Sequence, residues 1–350
     1  MIRIKNISVS FVLLFWCSVS FAQDPQFSQY YNAPLFLNPA FAGTGQNTRA
    51  AMNYRVQWPN QTTPFMSYAA SIDHYMEPKR SGFGLTFRRD KEGDAGFRNT
   101  DIGLTYSYHV NFTDKWVFIP AVQASFVTRD VDVVNMTFGD QIDNRGFTGG
   151  ASAEMLGSPR NSYVNFSTGG LIYNENLWFG FSAFNLTRPD QSLLNTGERL
   201  PIRYSVHGGY KIDLAGRTPG YKRDQKEKSI IPSFFYMKQG IFDRLDLGGY
   251  AVYDPLMFGF WYRGVPFLQY EQSLWSHESL VFMLGFRLED ISVTYSYDFT
   301  ISKLMPASGG GHEISILYNW EVFYGKQKRR RKPGKRKNVP PCPFFPRAMN

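Results

Sequence analysis

Beyond its first two dozen residues the sequence has no run of roughly 20 apolar residues, which excludes membrane-crossing helices from the body of the chain. Cysteine is nearly missing. There are two, Cys17 and Cys342, and the first falls inside an N-terminal leader, so no structural disulfide is expected in the mature chain. Cys342 stands among Pro340, Pro341 and Pro343 and reads as the thiol of a flexible tail. Histidine is scarce as well: His74, His109, His207, His277 and His312 lack the spacing of metal ligands, so no metal and no cofactor is expected. Acidic residues are absent from residues 325–350, which hold ten Lys or Arg. The net charge is +9, so the remaining 324 residues carry −1 and the basic character belongs to the tail.

The 350 residues are rich in aromatics (17%, with 31 Phe and 21 Tyr) and in glycine (31), at a mean hydropathy of only −0.33. This composition suits half-apolar strands. Ile314, Ile316, Tyr318, Trp320, Val322 and Tyr324 alternate with Ser315, Asn319 and Glu321, with Leu317 and Phe323 out of pattern. Ile291, Val293, Tyr295, Tyr297 and Phe299 alternate with Ser292, Thr294, Ser296 and Asp298. A period of 2 is that of a strand with one apolar and one polar face. Such segments are predicted near 48–57, 65–75, 82–90, 98–109, 116–129, 162–173, 177–186, 201–211, 229–238, 243–253, 256–263, 277–287, 290–300 and 311–324. Most approach the ~9–11 residues of a tilted membrane strand.

The predicted fold is therefore all-β: a transmembrane antiparallel β-barrel of about 14 strands over residues 48–324. A soluble β-sandwich would show fewer aromatics on alternating faces. Connections at 76–81, 110–115, 174–176, 254–255 and 289 are short, whereas 130–161, 187–200, 264–276 and 301–310 are longer. Short turns mark the periplasmic rim, and an even strand count puts both termini there. The segment 212–228 is the exception, a long connection in the short-turn set.

Ahead of the barrel, Arg3 and Lys5, the apolar stretch Val9–Phe15 and the small-residue pattern Ser20-Phe21-Ala22 form a signal peptide over 1–22, with the mature chain starting at Gln23. Leu14-Phe15-Trp16 lacks the small residues of a lipobox, which argues against a lipoprotein at Cys17. Residues 23–47 form a Pro- and Asn-rich segment whose Phe27, Tyr30, Tyr31, Phe36 and Phe41 need a surface to pack on, the barrel interior being the candidate.

No catalytic motif emerges. Ser107 and His109 share a face and supply two parts of a hydrolase triad, but serine is common on polar strand faces. Gly139–Asn144 offers acidic oxygens without the full spacing of a calcium loop and reads as a turn. The glycines of 309–311 lack the Lys-Ser/Thr and helix of a phosphate loop. Arg49, Arg55, Arg88 and Arg98 read as barrel-interior ion-pair partners rather than a solute filter.

The candidate binding residues are basic. Lys326, Lys328, Arg329, Arg330, Arg331, Lys332, Lys335, Arg336 and Lys337 crowd into the periplasmic tail, 325–350. Arg217, Lys222 and Arg223 in the 212–228 insertion would widen the same positive face. An acidic periplasmic protein is the expected partner; an exported chain meets no nucleic acid.

Several motifs in fixed order carry a resemblance. They are Gln26-Phe27-Ser28-Gln29-Tyr30, Leu37-Asn38-Pro39-Ala40-Phe41-Ala42-Gly43, Tyr54-Arg55-Val56-Gln57-Trp58-Pro59 and Tyr106-Ser107-Tyr108-His109. Thr137–Asp143, Phe258–Gly264, Tyr295–Phe299 and Gly311–Ser315 follow. From about Gln23 to Tyr324 the chain resembles the PorP/SprF family of type IX secretion outer-membrane proteins. The resemblance implies a non-enzymatic barrel in outer-membrane lipid, working with periplasmic secretion components and secreted surface cargo such as gliding adhesins. The competing expectation is a passive porin or uptake channel.

Overall fold

The computed structural model describes residues 26–93, 96–131, 139–144, 146–148, 160–193, 197, 199–214, 227–270, 274–288, 290–302, 308–320 and 342. Fourteen long strands run in chain order: β1 (Thr48–Gln57), β2 (Phe65–Met76), β3 (Ser81–Glu92), β4 (Phe97–Tyr108), β5 (Val117–Val131), β6 (Arg160–Tyr173) and β7 (Leu177–Phe184). They continue as β8 (Arg203–Tyr210), β9 (Lys228–Gln239), β10 (Phe242–Tyr253), β11 (Leu256–Tyr270), β12 (Leu274–Leu288), β13 (Ile291–Thr300) and β14 (Gly311–Trp320). Each pairs antiparallel with its neighbour in sequence, and β1 pairs with β14, Thr48 opposite Trp320 and Gln57 opposite Gly311. The sheet is thereby a closed barrel without an edge, so no strand is left with unpaired backbone groups facing lipid.

Burial alternates along the strands in the sense opposite to a soluble protein. On β4 and β5, Leu104 is 68% and Val122 58% exposed, while the intervening Thr105 and Gln123 are 3% and 7% exposed. Ser125, Ser167, Ser205, Ser296 and Ser315 are buried on the inner face, and Phe126, Phe166, Phe282, Ile314 and Ile316 point outward. An apolar outside over a polar inside places the protein in a bilayer. Exposed Tyr108, Tyr210, Tyr253 and Tyr318 lie at or near strand ends on one rim, as interfacial aromatics do. Leu317, which breaks the alternation, is buried inside the wall.

The rim where β1 starts and β14 ends is termed proximal, the other distal. Proximal connections are brief except for 211–227, whose described ends continue the hairpin through Ile212–Asp213 paired with Ser229 and Ile230. Distal connections include 132–159 and 185–202, and also a two-residue turn at Gly240 and Ile241. Within 132–159, Gly139–Gln141 is a single helical turn leading into Ile142–Asp143 paired with Gly146–Phe147.

Two expectations are corrected. Residues 264–270 and 274–276 are not loop: β11 continues to Tyr270 and β12 already begins at Leu274. Register shifts at Arg263/Gly264 and Val265/Gln269, with Gly264 at φ +148°, leave Pro266 outside the ladder, where its missing N–H costs nothing. The bulges hide the period of 2. Cys342, expected in a flexible tail, is instead 3% exposed, in the buried cluster that contains Tyr173 and Tyr250. A small apolar side chain at the end of a proline run suits a buried gap as well as a solvated tail. Residues 321–324, placed in the last strand from sequence, lie outside the described residues.

Because the outer face meets hydrocarbon, Leu104→Arg near mid-wall is expected to cost ~2–4 kcal/mol in urea unfolding from lipid vesicles. Phe112→Arg in the proximal turn should cost ~0–1 kcal/mol.

Candidate functional site: a strap inside the barrel

The segment before β1 runs through the barrel interior as a strap. It forms three short helical turns, Tyr30–Asn32, Pro34–Leu37 and Pro39–Phe41. Pro34 and Pro39 open the second and third, a position that needs no N–H donor, and the Asn38 side chain caps the third by accepting from Ala40 N at 2.9 Å. Turns this short are unstable alone. The wall holds them: Leu35, Ala40 and Phe41 are wholly buried.

Near the distal rim the strap meets a cluster of charges. Ser28 N and Gln29 N donate to the Glu313 carboxylate at 2.7 and 3.1 Å, and Ser28 Oγ donates to Asp298 Oδ2 at 2.6 Å. Arg263 Nη2 donates to Ser28 Oγ at 2.8 Å, and Arg55 Nη1 donates to the same oxygen. Behind Ser28, Arg55 and Arg263 pair with Asp298 at 2.7 and 3.0 Å, Arg55 with Glu313 at 3.3 Å, and Arg244 with Asp246 at 2.6 Å. Arg263 also reaches Asp246 at 3.3 Å. Three guanidinium groups thus face three carboxylates that are all but fully buried, and the half-exposed Glu278 stands 3.7 Å from Arg263 as a fourth. Gln29 and Asn32 extend the contact to Ser296 at 3.0 Å and Thr294 at 2.6 Å.

Midway, Tyr31 stacks between Trp261 and Tyr250 with ring centroids 5.0 and 5.3 Å apart, and Tyr30 stacks on Phe235 at 5.2 Å. Asn38 Nδ2 then reaches Gly170 O and Phe181 O on β6 and β7 at 3.1 and 3.0 Å. Near the proximal rim Gly43 N donates to Asp73 Oδ2 at 2.8 Å, and Arg49 joins Asp73 at 2.9 Å to Phe41 O at 3.0 Å. Two wall glycines admit the strap. A Cβ at Gly169 would lie 2.0 Å from Asn38 Oδ1, and one at Gly82 2.2 Å from Ala42 O. A cleft beside the strap, lined by Phe27, Phe36, Arg88, Arg203 and Phe235, has a cavity volume of about 20 Å³, room for about one water.

Ser107 and His109 are brought together on this strap. Both bond Ala42 O, at 2.7 and 3.3 Å, so they secure a carbonyl of the chain itself. Burial lowers His109 to about 4, which keeps its ring neutral near pH 7. Three of the four arginines are paired in the interior as expected: Arg49 with Asp73, Arg55 with Asp298, and Arg88 with Asp90 at 3.2 Å. Arg98 is a correction: it shares the outward parity of Ile102 and Leu104, and its pair with Asp130 at 2.6 Å lies part-exposed on the outer face near the distal rim. Among the described residues no group of three or more His, Cys, Asp or Glu could hold a metal.

The basic candidates Lys326, Lys328, Arg329, Arg330, Arg331, Lys332, Lys335, Arg336, Lys337, Arg217, Lys222 and Arg223 lie outside the described residues. The base of the insertion is described. Glu227 receives Lys211 and, at 3.0 Å, Arg287, which also pairs with Asp254. Burial pushes the Glu227 carboxyl up, but Lys211 and Arg287 outweigh it and hold it below its usual range. What the sequence did not reveal was that Ser28, Gln29 and Asn38 are anchors. The available signal was that Arg55, Arg263, Asp298 and Glu313, from four separate strands, all fall inside the quoted motifs.

Glu313→Gln leaves three buried guanidinium groups against two buried carboxylates and is expected to cost ~3–5 kcal/mol in urea unfolding. Adding Arg55→Met removes the surplus positive charge and should recover part of that loss. Glu227→Gln should destabilise the barrel at neutral pH. Its lowered pKa makes the ion-pair contribution full above the unfolded-state value of ~4.3 and lost as pH falls through the folded value, so variant and parent midpoints should converge in acid.

Comparison with solved structures finds outer-membrane barrels. The Acinetobacter baumannii outer membrane protein Omp33 is 7% identical with a TM-score of 0.41, covering 79% of this chain and all of that one. The P. putida toluene transporter TodX is 9% identical with a TM-score of 0.46, covering 83% and 94%. A Pseudomonas aeruginosa FadL homologue is 13% identical with a TM-score of 0.40, covering 82% and 94%. At these values no function is carried across. No curated protein matches the chain. The family model described as type IX secretion system membrane protein PorP/SprF matches residues 19–318. With that match spanning most of the chain and a closed barrel of outer-membrane type, the protein is an integral outer-membrane member of the PorP/SprF family of the type IX secretion system.

Proposed function

We propose that this barrel is a non-enzymatic component of type IX secretion that serves the export or surface attachment of a cargo protein, such as a gliding adhesin, and links the outer membrane to periplasmic machinery. The observation that carries this reading is the filled lumen. A passive porin needs a continuous water path, whereas here Tyr30, Tyr31, Leu35 and Phe41 occupy the interior and are buried against the wall. A closed barrel suits an anchor or coupling element. The lodging of Ser107 and His109 on Ala42 O favours a structural over a catalytic use of that pair.

The proximal rim is read as periplasmic, because brief turns dominate there and the distal rim carries the connections 132–159 and 185–202. Both basic segments leave from it: the insertion between Leu214 and Glu227, and the tail beyond Trp320. A rim bearing Arg217, Lys222, Arg223 and the Lys326–Lys337 block fits an acidic protein face, since Arg forks select carboxylate geometry. Anionic lipid alone would contribute only ~1 kcal/mol per basic residue.

Truncation after Gly325 should leave the barrel assembled while cargo display and co-purification of periplasmic components fall away. The retained interaction in the full chain should weaken as salt rises, the charges being screened over ~8–10 Å. In planar bilayers the full chain should show little conductance. A steady open-channel current, with cargo display intact after deletion of the gene, would favour the porin reading instead.

A further inference from the structure

The strap does more than fill the lumen, because it has a direction. Its contacts climb the wall in sequence order. Gly43 sits against Gly82, one residue from the proximal start of β3. Asn38 bonds Gly170, three residues from the proximal end of β6. Tyr30 OH lies 3.2 Å from Ser233 on β9, farther up. Ser28 meets Asp298, two residues from the distal end of β13, and Phe27 O receives Arg244, two residues from the distal start of β10, at 3.4 Å. Two strand residues amount to ~7 Å. Read toward the N-terminus, the chain enters the barrel at the proximal rim and reaches the distal quarter of the wall by Phe27.

From this we infer that the barrel is threaded by its own N-terminus: the N-terminal end of the mature chain emerges at the distal mouth, opposite the rim from which the C-terminal segment departs. Even strand number puts the start of β1 and the end of β14 on one side, but it says nothing of a segment that crosses back through the lumen. If the leader is removed after Ala22, three residues precede Gln26, and they span at most ~11 Å. That is too short to descend a wall whose apolar band is ~25 Å tall. The way down is also taken by Tyr30, Tyr31, Leu35 and Phe41. With the proximal rim periplasmic, the inference makes the N-terminal end an element of the cell surface, beside the small cleft that Gln26, Phe27, Arg88 and Arg203 line. Only this assignment of inside and outside rests on the proposed orientation; the opposition of the two ends does not.

The test uses the full-length protein in cells, with Cys342→Ser as background. Gln26→Cys reports the N-terminal end, Asn144→Cys the distal rim and Asn174→Cys the proximal rim, each probed with an impermeant maleimide before and after the outer membrane is opened. An epitope inserted after Gln23 gives a second readout, and heat-modifiable mobility confirms a folded barrel for every variant. The expected result is that the epitope and the Gln26→Cys thiol react in intact cells, as the Asn144→Cys thiol does, while the Asn174→Cys thiol reacts only after opening. Threading is overturned if the N-terminal probes follow the proximal-rim thiol. If they follow the distal-rim thiol but both react only after opening, threading stands and the proposed orientation fails.

Discussion

The structure depends on the neutralisation of charge inside the barrel wall. Arg55, Arg244 and Arg263 and the carboxylates Asp246, Asp298 and Glu313 are buried where water cannot solvate them, and an isolated ion there would cost several kcal/mol. Each therefore needs opposite charge and hydrogen bonds together. The strand residues supply the charge but leave a gap among two guanidinium groups and Asp298. The Ser28 hydroxyl fills it, accepting from Arg55 and Arg263 while donating to Asp298, and its backbone N–H and that of Gln29 complete Glu313. The strap and the charges are thus mutually dependent: without the strap the ions lose the partners that Ser28 and Gln29 supply, and without the ions Ser28 and Gln29 lose theirs.

The position of this cluster bears on barrel closure. Asp298 lies on β13, Glu313 on β14 and Arg55 on β1, so the strap binds across the seam where the last strand meets the first. Asn53 of β1, donating to Ser315 of β14 at 2.7 Å, adds a side-chain bond across the same seam beside Asn32. Backbone pairing alone sets a register, but an antiparallel ladder tolerates slippage where neither face specifies it. Polar side chains that fit one register and one strap make the closed form unique. The filled lumen and the closed seam are consequences of the same contacts, made by the packing of residues 26–47.

Much of this was legible in the order of residues. The period of 2 located all fourteen strands, because in a membrane barrel every strand must turn an apolar face to lipid. Leu104 and Ile316 announce that face as clearly as Thr105 and Ser315 announce the other. The aromatics of 23–47 indicated a segment that needed burial, and Arg49, Arg55 and Arg88 were legible as interior ion-pair partners, whereas Arg98 pairs on the outer face. The β11–β12 hairpin beyond Arg263 was not legible, since its bulges shift the register and Pro266 imitates a loop. Cys342 was misread because composition reports what a residue resembles and not which cavity lies within its reach.

The sequence by itself therefore determined the class of fold, the strand positions, the outward and inward faces and the family motifs, all of which are local or periodic properties. Tertiary structure alone decided that Ser28 meets Asp298 across 270 positions of chain, that Gly82 and Gly169 are clearances for the strap, and that Ser107 and His109 hold Ala42. The physical reason is that a strand pattern specifies which way a side chain points but not what stands opposite it inside a closed barrel. That depends on how fourteen strands close around one segment, and on where their buried charges must find partners.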